Sequence, residues 1–283
     1  MTTIHANMRL AMCELLGLSS NLPSTLNLSL RKLAEHGGPP TSITDGWGVA
    51  YYEDLDVRLI KDCASVADSD WVRFLADQDM RSRIVISHIR KATMGERAYR
   101  NTQPFTRELA GRVHLFAHNG WLPGIVEDKS FTSSHFHPIG ETDSEIAFCG
   151  LLDRMRSLWT VSGAVPALQT RLSVITAFAE ELRALGPANF LYADGETLFA
   201  HGDRRKNGAT GLVRPPGLVL LRRHCLQDGQ ENLAHGLKIN SVGQSLTLVA
   251  SVPLTGDPWE QLAEGQLVAI ENGEVVLHGS TLV

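Results

Sequence analysis

The sequence predicts an α+β fold in which mainly antiparallel sheets make up the larger part. Many short segments are rich in Val, Ile, Leu and aromatic residues and are bounded by Gly, Asp or Asn, which is typical of strands. These segments come in groups, and the two long helical segments lie together near the middle of the chain. Because strands and helices do not alternate, layered antiparallel sheet and helix is favoured over a parallel βαβ arrangement.

Nine segments have the composition of strands, and a hairpin follows them. In chain order the strands are Cys13 to Leu18, Gly46 to Tyr52, Val57 to Lys61, Ile84 to Ile89, His114 to His118, Ala188 to Ala193, Thr197 to His201, Leu218 to Leu221 and Leu246 to Val252. The hairpin pairs Gln266 to Ile270 with Val275 to Leu277. Its Asn272-Gly273 turn supplies the positive φ angles of a type I′ turn.

The first predicted helix begins at Thr142, where Thr-Asp-Ser-Glu has the form of a capping box. In that motif the Thr142 hydroxyl and the Glu145 carboxylate each accept a hydrogen bond from a free backbone N–H. Apolar residues then recur at helical spacing, namely Ile146, Cys149, Leu152 and Met155.

The second predicted helix runs from about Pro166 to Leu185 and stops at Gly186-Pro187. Its predicted buried residues are Leu172, Ile175, Phe178, Leu182 and Leu185. Two stretches, Ser157 to Val165 and Arg222 to Leu237, are predicted to be surface excursions between elements.

Composition narrows the classes of function. The 283 residues are 43% hydrophobic and carry a formal net charge of −5, so the chain can bury a large core in one long domain or two small ones. It has no Lys/Arg run that would indicate nucleic-acid or anionic-membrane binding, and no apolar stretch long enough to span a bilayer. We therefore expect a small-molecule substrate or a protein partner.

The four cysteines, at positions 13, 63, 149 and 225, are widely spaced and form no C-x-x-C pair. Neither a disulfide framework nor a zinc knuckle is indicated, and a reducing cytoplasm fits best. Cys13 differs from the others because it follows Met12 directly. If the chain began at Cys13, the thiol would lie beside its own α-amine, and reference pKa values of about 8.5 and about 7.7 to 8.0 suit proton transfer between them. A lone cysteine is more often an ordinary half-buried strand residue.

Four polar clusters lie at strand ends or at a helix start, where a scaffold presents side chains to a cleft. They are Asp45 to Gly48, His88 to Thr93, His118 to Gly120 and Glu141 to Glu145. Each alone is a weak signal, since turns, caps and salt-bridged strand ends have the same composition. His88, His118, His135 and His137 are candidate metal ligands, and His135 and His137 could share a strand face. No third ligand has suitable spacing, so we expect no metal site. The sequence has no glycine pattern of the kind that binds the phosphates of a nucleotide cofactor, so no cofactor is expected.

Taken together and in this order, the motifs resemble the glutaminase domain of class II glutamine amidotransferases, which use an N-terminal nucleophile. The matching segments are Cys-Glu-Leu-Leu-Gly from Cys13, Asp-Gly-Trp-Gly from Asp45, His-Ile-Arg from His88, Asn-Thr-Gln-Pro-Phe-Thr-Arg-Glu-Leu from Asn101, Ala-His-Asn-Gly from Ala117, Gly-Glu-Thr-Asp-Ser-Glu from Gly140 and Pro-Leu-Thr-Gly from Pro253. They are similar to those of stand-alone bacterial amidotransferases. The resemblance implies a four-layer αββα sandwich of the Ntn-hydrolase type.

The resemblance also implies roles for six residues. Cys13 would attack the side-chain amide of glutamine with its own α-amine as base, and the Asn119 amide and Gly120 N–H would hold the oxyanion. Arg90 would bind the substrate α-carboxylate, with Thr93 as a secondary contact, and Asp143 would bind the α-ammonium. The attack would give a γ-glutamyl thioester intermediate with release of ammonia, and water would hydrolyse this thioester to glutamate. Residues 1–12 would then be a propeptide or lie before the true start, and residues 13–283 would be one amidotransferase domain.

Class II amidotransferases usually carry a second domain that uses the ammonia, and no segment of that size remains here after the glutaminase region. We therefore expect the ammonia acceptor, a synthase, on another polypeptide. Two alternatives stay open: hydrolysis of another γ-glutamyl amide on the same fold, and a non-catalytic regulatory protein in which the amine of Cys13 remains blocked.

Overall fold

The computed structural model describes residues 13–26, 44–76, 78, 80–92, 94–207, 210–225, 231–234, 237–239 and 243–280. The strands in these ranges are β1 Glu14–Leu26, β2 Gly46–Glu53, β3 Asp56–Asp62, β4 Arg81–Arg90, β5 Phe105–Leu109, β6 Arg112–Gly120, β7 Ala188–Ala193, β8 Leu198–Gly202, β9 Arg205–Lys206, β10 Val213–Arg214, β11 Val219–His224, β12 Glu231–Ala234, β13 Leu237–Ile239, β14 Ser245–Ala250, β15 Glu260–Gln261, β16 Gln266–Glu271 and β17 Glu274–Ser280. The α-helices are α1 Asp70–Ala76, α2 Asp143–Met155 and α3 Leu168–Leu185. Short 3₁₀ helices span Tyr99–Asn101 and Lys129–Phe131.

The strands form two antiparallel sheets. The first, called the β1 sheet, has the order β15-β11-β14-β1-β4-β2-β3, and β13 joins β12 to the far end of β1. The second, called the β6 sheet, has the order β17-β16-β8-β7-β6-β5. Strands β9 and β10 form a separate ribbon. The central strands β1 and β6 therefore have neighbours on both edges, which fixes the positions of their ends.

The two sheets pack face to face through an apolar core. Leu15 and Ile86 from the β1 sheet belong to one buried cluster with Ala117, Leu191 and Val268 from the β6 sheet. Because side chains alternate between the faces of a strand, every second residue of β1, β4, β6 and β7 fills this space.

Helices cover the outer faces of both sheets. Helices α2 and α3 pack on the β6 sheet, where Phe116 stacks on Phe148 with ring centroids 5.4 Å apart and meets Phe178 edge-on. The short helix α1 lies on the β1 sheet through Val72 and Leu75. The predicted α+β class and four-layer order, helix, sheet, sheet, helix, are confirmed.

The start of α2 confirms one half of the predicted capping box and corrects the other. Thr142 is the N-cap, and its hydroxyl accepts a hydrogen bond from the Glu145 N–H at 3.3 Å. The Glu145 carboxylate reaches past the cap instead, accepting from the Gly140 N–H at 2.7 Å and from Arg107 at 2.6 Å. A buried carboxylate is better stabilised by a guanidinium than by a second amide, so the Glu145 side chain joins α2 to β5.

The nine predicted strands and the hairpin are present, and Asn272 and Gly273 have φ angles of 50° and 80° as expected for the turn. The second helix ends at Leu185 as predicted, although that residue is only half-buried. The loop at 157–165 is confirmed.

The prediction of a surface excursion from Arg222 to Leu237 is wrong. Strand β11 continues through His224, and 231–234 form a further strand. Arg222 sits on β11 with its guanidinium 2.6 Å from Glu260 of β15, so its charge is exposed without breaking the ladder. Strand β5 and helix α1 were not predicted, because β5 is an edge strand with only Phe105 and Leu109 buried and α1 has just seven residues.

Candidate active site

The predicted nucleophile and two of its predicted partners meet at one end of the space between the sheets. Glu14 at the start of β1 pairs with Ile89 near the end of β4, so Cys13 and Arg90 are neighbours across that ladder. Cys13 and Arg90 lie two residues from Leu15 and His88, on the same strand face that fills the inter-sheet core. Asn119 lies two residues after Ala117, on the facing side of β6.

The Cys13 thiol is half-buried and bonded to the backbone after β4. Its Sγ donates to the Lys91 carbonyl at 3.0 Å and accepts from the Lys91 N–H at 3.1 Å. Burial raises the pKa of Cys13 to about 11, although the Lys91 N–H works in the opposite direction. With Cys13 in a peptide bond, the thiol is therefore almost entirely protonated near neutral pH.

Asn119 contacts the residue that carries the thiol. Its side-chain Nδ2 donates to the Cys13 carbonyl at 2.6 Å and to the Ser251 hydroxyl at 3.4 Å. Its own carbonyl accepts from the Asn189 side chain at 3.1 Å. The amide nitrogen thus bridges the two sheets at the residue that carries the thiol.

Gly120 follows Asn119 at a position where no other residue fits. A Cβ at this position would lie 1.9 Å from the Pro187 carbonyl oxygen and 2.5 Å from His118 Nε2. The Asn-Gly pair predicted from the sequence is therefore dictated by close packing at the end of β6.

Arg90 is 3% exposed, and its guanidinium is turned toward the loop that follows β4. It donates to the carbonyls of Met94 at 2.9 Å, Gly95 at 3.1 Å and Asp45 at 3.5 Å. Burial lowers the pKa of Arg90, and the charge of Asp45 opposes that shift. The forked donor that the sequence assigned to a substrate carboxylate is occupied here by backbone oxygens. Thr93 lies outside the described residues.

Asp143 is the first residue of α2 and is buried. Its carboxylate accepts from the Leu122 N–H at 2.9 Å and from the Ser144 N–H at 2.8 Å. Ser144 in turn bonds His118 Nδ1 at 2.9 Å. Asp143 is thereby attached to the end of β6, and its charge is felt at the Cys13 thiol, whose pKa it raises slightly.

Asn101 is a residue to which the sequence gave no role, although it opens one of the quoted motifs. It is fully buried and joins two loops: its Nδ2 donates to the Glu96 carbonyl and the Glu141 carboxylate, both at 3.0 Å. Its Oδ1 accepts from the Glu141 N–H at 2.9 Å. The loop that bonds Arg90 and the loop that leads into Asp143 are thus held together by one amide. Its sequence signal is weak, because Asn101 opens the Asn-Thr-Gln-Pro-Phe segment but ordinary turns have the same composition.

Glu14 was likewise not predicted to have a role. Its carboxylate forms an ion pair with Arg205 at 3.0 Å, and Arg205 also donates to the Ser251 carbonyl. The Ser251 hydroxyl accepts from the Leu15 N–H at 2.9 Å. The contacts of Asn119, Arg205 and β1 therefore converge on Ser251.

His88 and His118 near the site are buried, and burial lowers the pKa of both imidazoles, that of His88 to about 3. Proximity to His118 and Arg90 lowers the pKa of His88 further. His135 lies at the surface, bonded to Asp153 at 2.8 Å. Among the described residues, no group of three or more His, Cys, Asp or Glu side chains could hold a metal ion. None of the described helices is long and apolar enough to cross a membrane.

Comparison with known sequences gives consistent matches. The family model for class II glutamine amidotransferases matches residues 12–282. The chain is 36% identical over 257 residues to YafJ of Escherichia coli strain K12, provisionally named a glutamine amidotransferase, covering 90% of this chain and 96% of YafJ. It is 34% identical over 275 residues to the uncharacterized protein MJ1515 of Methanocaldococcus jannaschii, covering 96% and 72% of the two chains.

Solved structures give the same grouping. A crystal structure of a predicted glutamine amidotransferase from Pseudomonas aeruginosa PA01 superposes with a TM-score of 0.66 at 31% identity, covering 94% of this chain and 100% of that one. Glutamine phosphoribosylpyrophosphate amidotransferase from B. subtilis superposes with a TM-score of 0.60 at 17% identity, covering 95% of this chain and 49% of that enzyme. At that identity the second likeness is one of fold.

Proposed function

Because this chain belongs to the class II glutamine amidotransferases, we propose that it hydrolyses the side-chain amide of glutamine through a γ-glutamyl thioester on Cys13. The observation that carries the proposal is the 2.6 Å hydrogen bond from Asn119 Nδ2 to the Cys13 carbonyl. It brings an amide donor beside the residue that holds the thiol. Arg90 and Asp143 lie close enough for their charges to act on that thiol.

The first half of the reaction forms the thioester. The Cys13 α-amine takes the thiol proton, Sγ bonds to the side-chain amide carbon of glutamine, and the oxygen of that amide becomes an oxyanion. The Asn119 Nδ2 and the Gly120 N–H donate to this oxyanion, and the oxyanion replaces the 3.4 Å contact of Nδ2 with the Ser251 hydroxyl. Each such donor typically contributes about 10²- to 10³-fold in rate. The carbon–nitrogen bond then breaks, and ammonia leaves with the proton returned by the α-ammonium.

The second half releases glutamate. The α-amine takes a proton from water as the water oxygen bonds to the thioester carbon, and the same two donors hold the second oxyanion. The carbon–sulfur bond then breaks, and the α-ammonium returns the proton to Sγ to restore the thiol. No oxidant, metal or cofactor takes part in this scheme. The ammonia passes to a synthase on another polypeptide.

Substrate orientation depends on the two ends of the amino-acid head. The guanidinium of Arg90 pairs with the α-carboxylate in place of the Met94 and Gly95 carbonyls, with Thr93 as a further donor. The Asp143 carboxylate binds the α-ammonium. Holding both ends leaves the side-chain amide free to meet Sγ.

The scheme requires that Cys13 be the first residue of the working chain. A peptide bond between Met12 and Cys13 removes the amine that acts as base and leaves a thiol whose pKa is about 11. We therefore propose that residues 13–283 are the mature amidotransferase domain.

The test compares two forms of the protein, one starting at Cys13 and one retaining residues 1–12, each verified by intact mass. The form starting at Cys13 should release glutamate and ammonia in equal amounts from glutamine and should be labelled at Cys13 by an electrophilic glutamine analogue. A Cys13→Ala variant of the same form is the matched control and should do neither. Equal turnover by both forms would refute the requirement for a free amine.

Larger γ-glutamyl amides, such as γ-glutamyl anilides, belong in the same assay. Faster cleavage of these compounds than of glutamine would assign the enzyme to another γ-glutamyl amide. Absence of turnover and labelling in the form starting at Cys13 would favour a non-catalytic role.

A further inference from the structure

The residue after the nucleophile carries a buried charge that the proposed reaction does not use. Glu14 is 1% exposed, and one of its oxygens pairs with Arg205 of β9 at 3.0 Å. The other oxygen has no partner in good hydrogen-bonding geometry. Burial raises the pKa of Glu14, and Arg205 and the Ser251 side chain both lower it. An apolar residue would fill this position at lower cost, so the charge calls for a specific explanation.

Arg205 connects this carboxylate to Ser251, which accepts a hydrogen bond from Asn119. A second guanidinium nitrogen of Arg205 donates to the Ser251 carbonyl, while the Ser251 hydroxyl accepts from the Leu15 N–H at 2.9 Å. That hydroxyl also accepts from Asn119 Nδ2 at 3.4 Å. A chain of contacts thus runs from Glu14 through Arg205 and Ser251 to Asn119, the proposed oxyanion donor. Leu15, the second residue of β1, is bonded to the same Ser251.

We propose that the Glu14–Arg205 ion pair is a positioning device for the terminal nucleophile. The inference rests on the proposed function, in which Cys13 becomes the chain end. A terminal residue has covalent support on one side only, so its position depends on the residue that follows. Glu14 and Arg205 hold β1 against Ser251, and Asn119 then holds the Cys13 carbonyl at 2.6 Å.

The pair also sets the charge around the thiol. Three charged side chains act on Cys13: Glu14 and Asp143 raise its pKa, and Arg90 lowers it. Arg205 compensates the Glu14 charge directly. Loss of the Glu14 charge should make the thiol easier to ionise. Loss of Arg205 should act in the same direction, because the buried Glu14 carboxylate then takes up a proton.

The experiment uses the form starting at Cys13, with three variants. Glu14→Gln and Arg205→Gln should each lower kcat for glutamine about tenfold or more, because small displacements of reacting groups have effects of that size. KM should change little, since Arg90 and Asp143 are untouched. The pH dependence of Cys13 alkylation by iodoacetamide should move to lower pH in Glu14→Gln. It should also move to lower pH in Arg205→Gln, because the unpaired buried carboxylate takes up a proton.

Arg205→Lys separates charge from geometry. Lysine keeps the positive charge but has a single ammonium group in place of the fork that reaches both Glu14 and Ser251. This variant should lose kcat while its alkylation profile stays near that of the parent. It also serves if Glu14→Gln fails to fold.

Asp194→Asn is the matched control, because Asp194 forms a buried ion pair with Arg171 at the opposite end of the β6 sheet. It should lower thermal stability without changing kcat or the alkylation profile. Equal losses of kcat in Glu14→Gln and Asp194→Asn, or an unchanged profile in both Gln variants at positions 14 and 205, would overturn the proposal. If the parent fails to hydrolyse glutamine, the proposed function fails separately, and the alkylation profiles still report on the pair.

Discussion

The strand ends that carry Cys13, Arg90 and Asn119 are held by sheet pairing, whereas the loops beside them are held by individual side chains. We call the first group the strand half of the site and residues 94–101 with 139–143 the loop half. In the strand half, β1 is paired on both edges, to β4 and β14. In the loop half, the Asn101 amide and the Glu145 carboxylate make the main connections.

This difference indicates that the two halves have different roles in the proposed reaction. Sheet pairing places reacting groups with little freedom, which suits a nucleophile and its oxyanion donor. Side-chain contacts between loops are individually weaker and can be exchanged for contacts with a ligand. We therefore expect changes at Cys13 and Asn119 in the strand half to act on kcat or on folding. Changes in the loop half, and at Arg90 whose guanidinium bonds that loop, should act on glutamine binding.

The largest expected effect is acid destabilisation of the two sheets whose strand ends form the strand half. His114 and His201 have pKa values lowered to about 4 by burial, and that of His88 is lowered to about 3. Unfolded histidines titrate near 6.5, so the unfolded chain binds more protons below that pH and stability must fall as the pH drops. Each imidazole should remove about 2 kcal/mol between pH 6.5 and 5.

Urea unfolding between pH 5 and 8 measures this dependence. His201→Asn should flatten the pH dependence relative to the parent. Phe190→Leu, which alters the ring stacked on His201 with centroids 5.0 Å apart, should lower stability by a similar amount at every pH. An unaltered slope in His201→Asn would contradict the prediction.

The next effect concerns Asn119. Asn119→Ala removes the donor to the Cys13 carbonyl and one proposed oxyanion donor, so kcat should fall by about 10²- to 10³-fold with a small change in KM. Steady-state kinetics on the form starting at Cys13 test this, with circular dichroism as a check on folding. A rise in KM at constant kcat would contradict this prediction and assign Asn119 to substrate binding.

A smaller effect is expected in the loop half. Asn101→Asp keeps the acceptor for the Glu141 N–H but loses both donors and places a carboxylate beside that of Glu141. KM for glutamine should rise about tenfold, which corresponds to about 1.4 kcal/mol, while kcat changes less. Asn21→Asp is the control, since Asn21 also bridges two backbone groups, Gly243 and Ser245, away from the site. Similar changes of KM in both variants would contradict a specific role of Asn101 in glutamine binding.

The smallest effect is that of the helix cap. Thr142→Ala loses the hydroxyl that accepts from the Glu145 N–H, which should cost about 1 kcal/mol of stability and alter activity only a few-fold. Thr142→Ser should retain both. Chemical denaturation followed by fluorescence distinguishes them, and a loss of activity as large as that of Asn119→Ala would contradict the division between the halves.

The strand half was largely predictable from the sequence because its residues follow periodic, apolar strands. Cys13, Arg90 and Asn119 each stand at the end of such a segment, and alternation along the strand fixes the face they share. The resemblance of the motifs supplied their proposed roles.

The loop half and the ion pair could not be predicted in the same way. Asn101 and Glu141 are 40 residues apart, and Glu14 and Arg205 are 191 apart. Periodicity carries no information on contacts between irregular segments at such separations. The capping box shows the same limit, since Thr142 behaves locally as predicted while Glu145 follows the distant Arg107.

The hydrogen bond between Asn119 and the Cys13 carbonyl joins residues of two different sheets, and this has a consequence for how the protein can vary in length. A one-residue insertion or deletion in β1 or β6 would shift one partner by about 3.3 Å, more than the length of the bond itself. We expect homologous enzymes to tolerate length changes in the 157–165 loop or beyond β3, and none between Cys13 and Leu18 or between Val113 and Gly120.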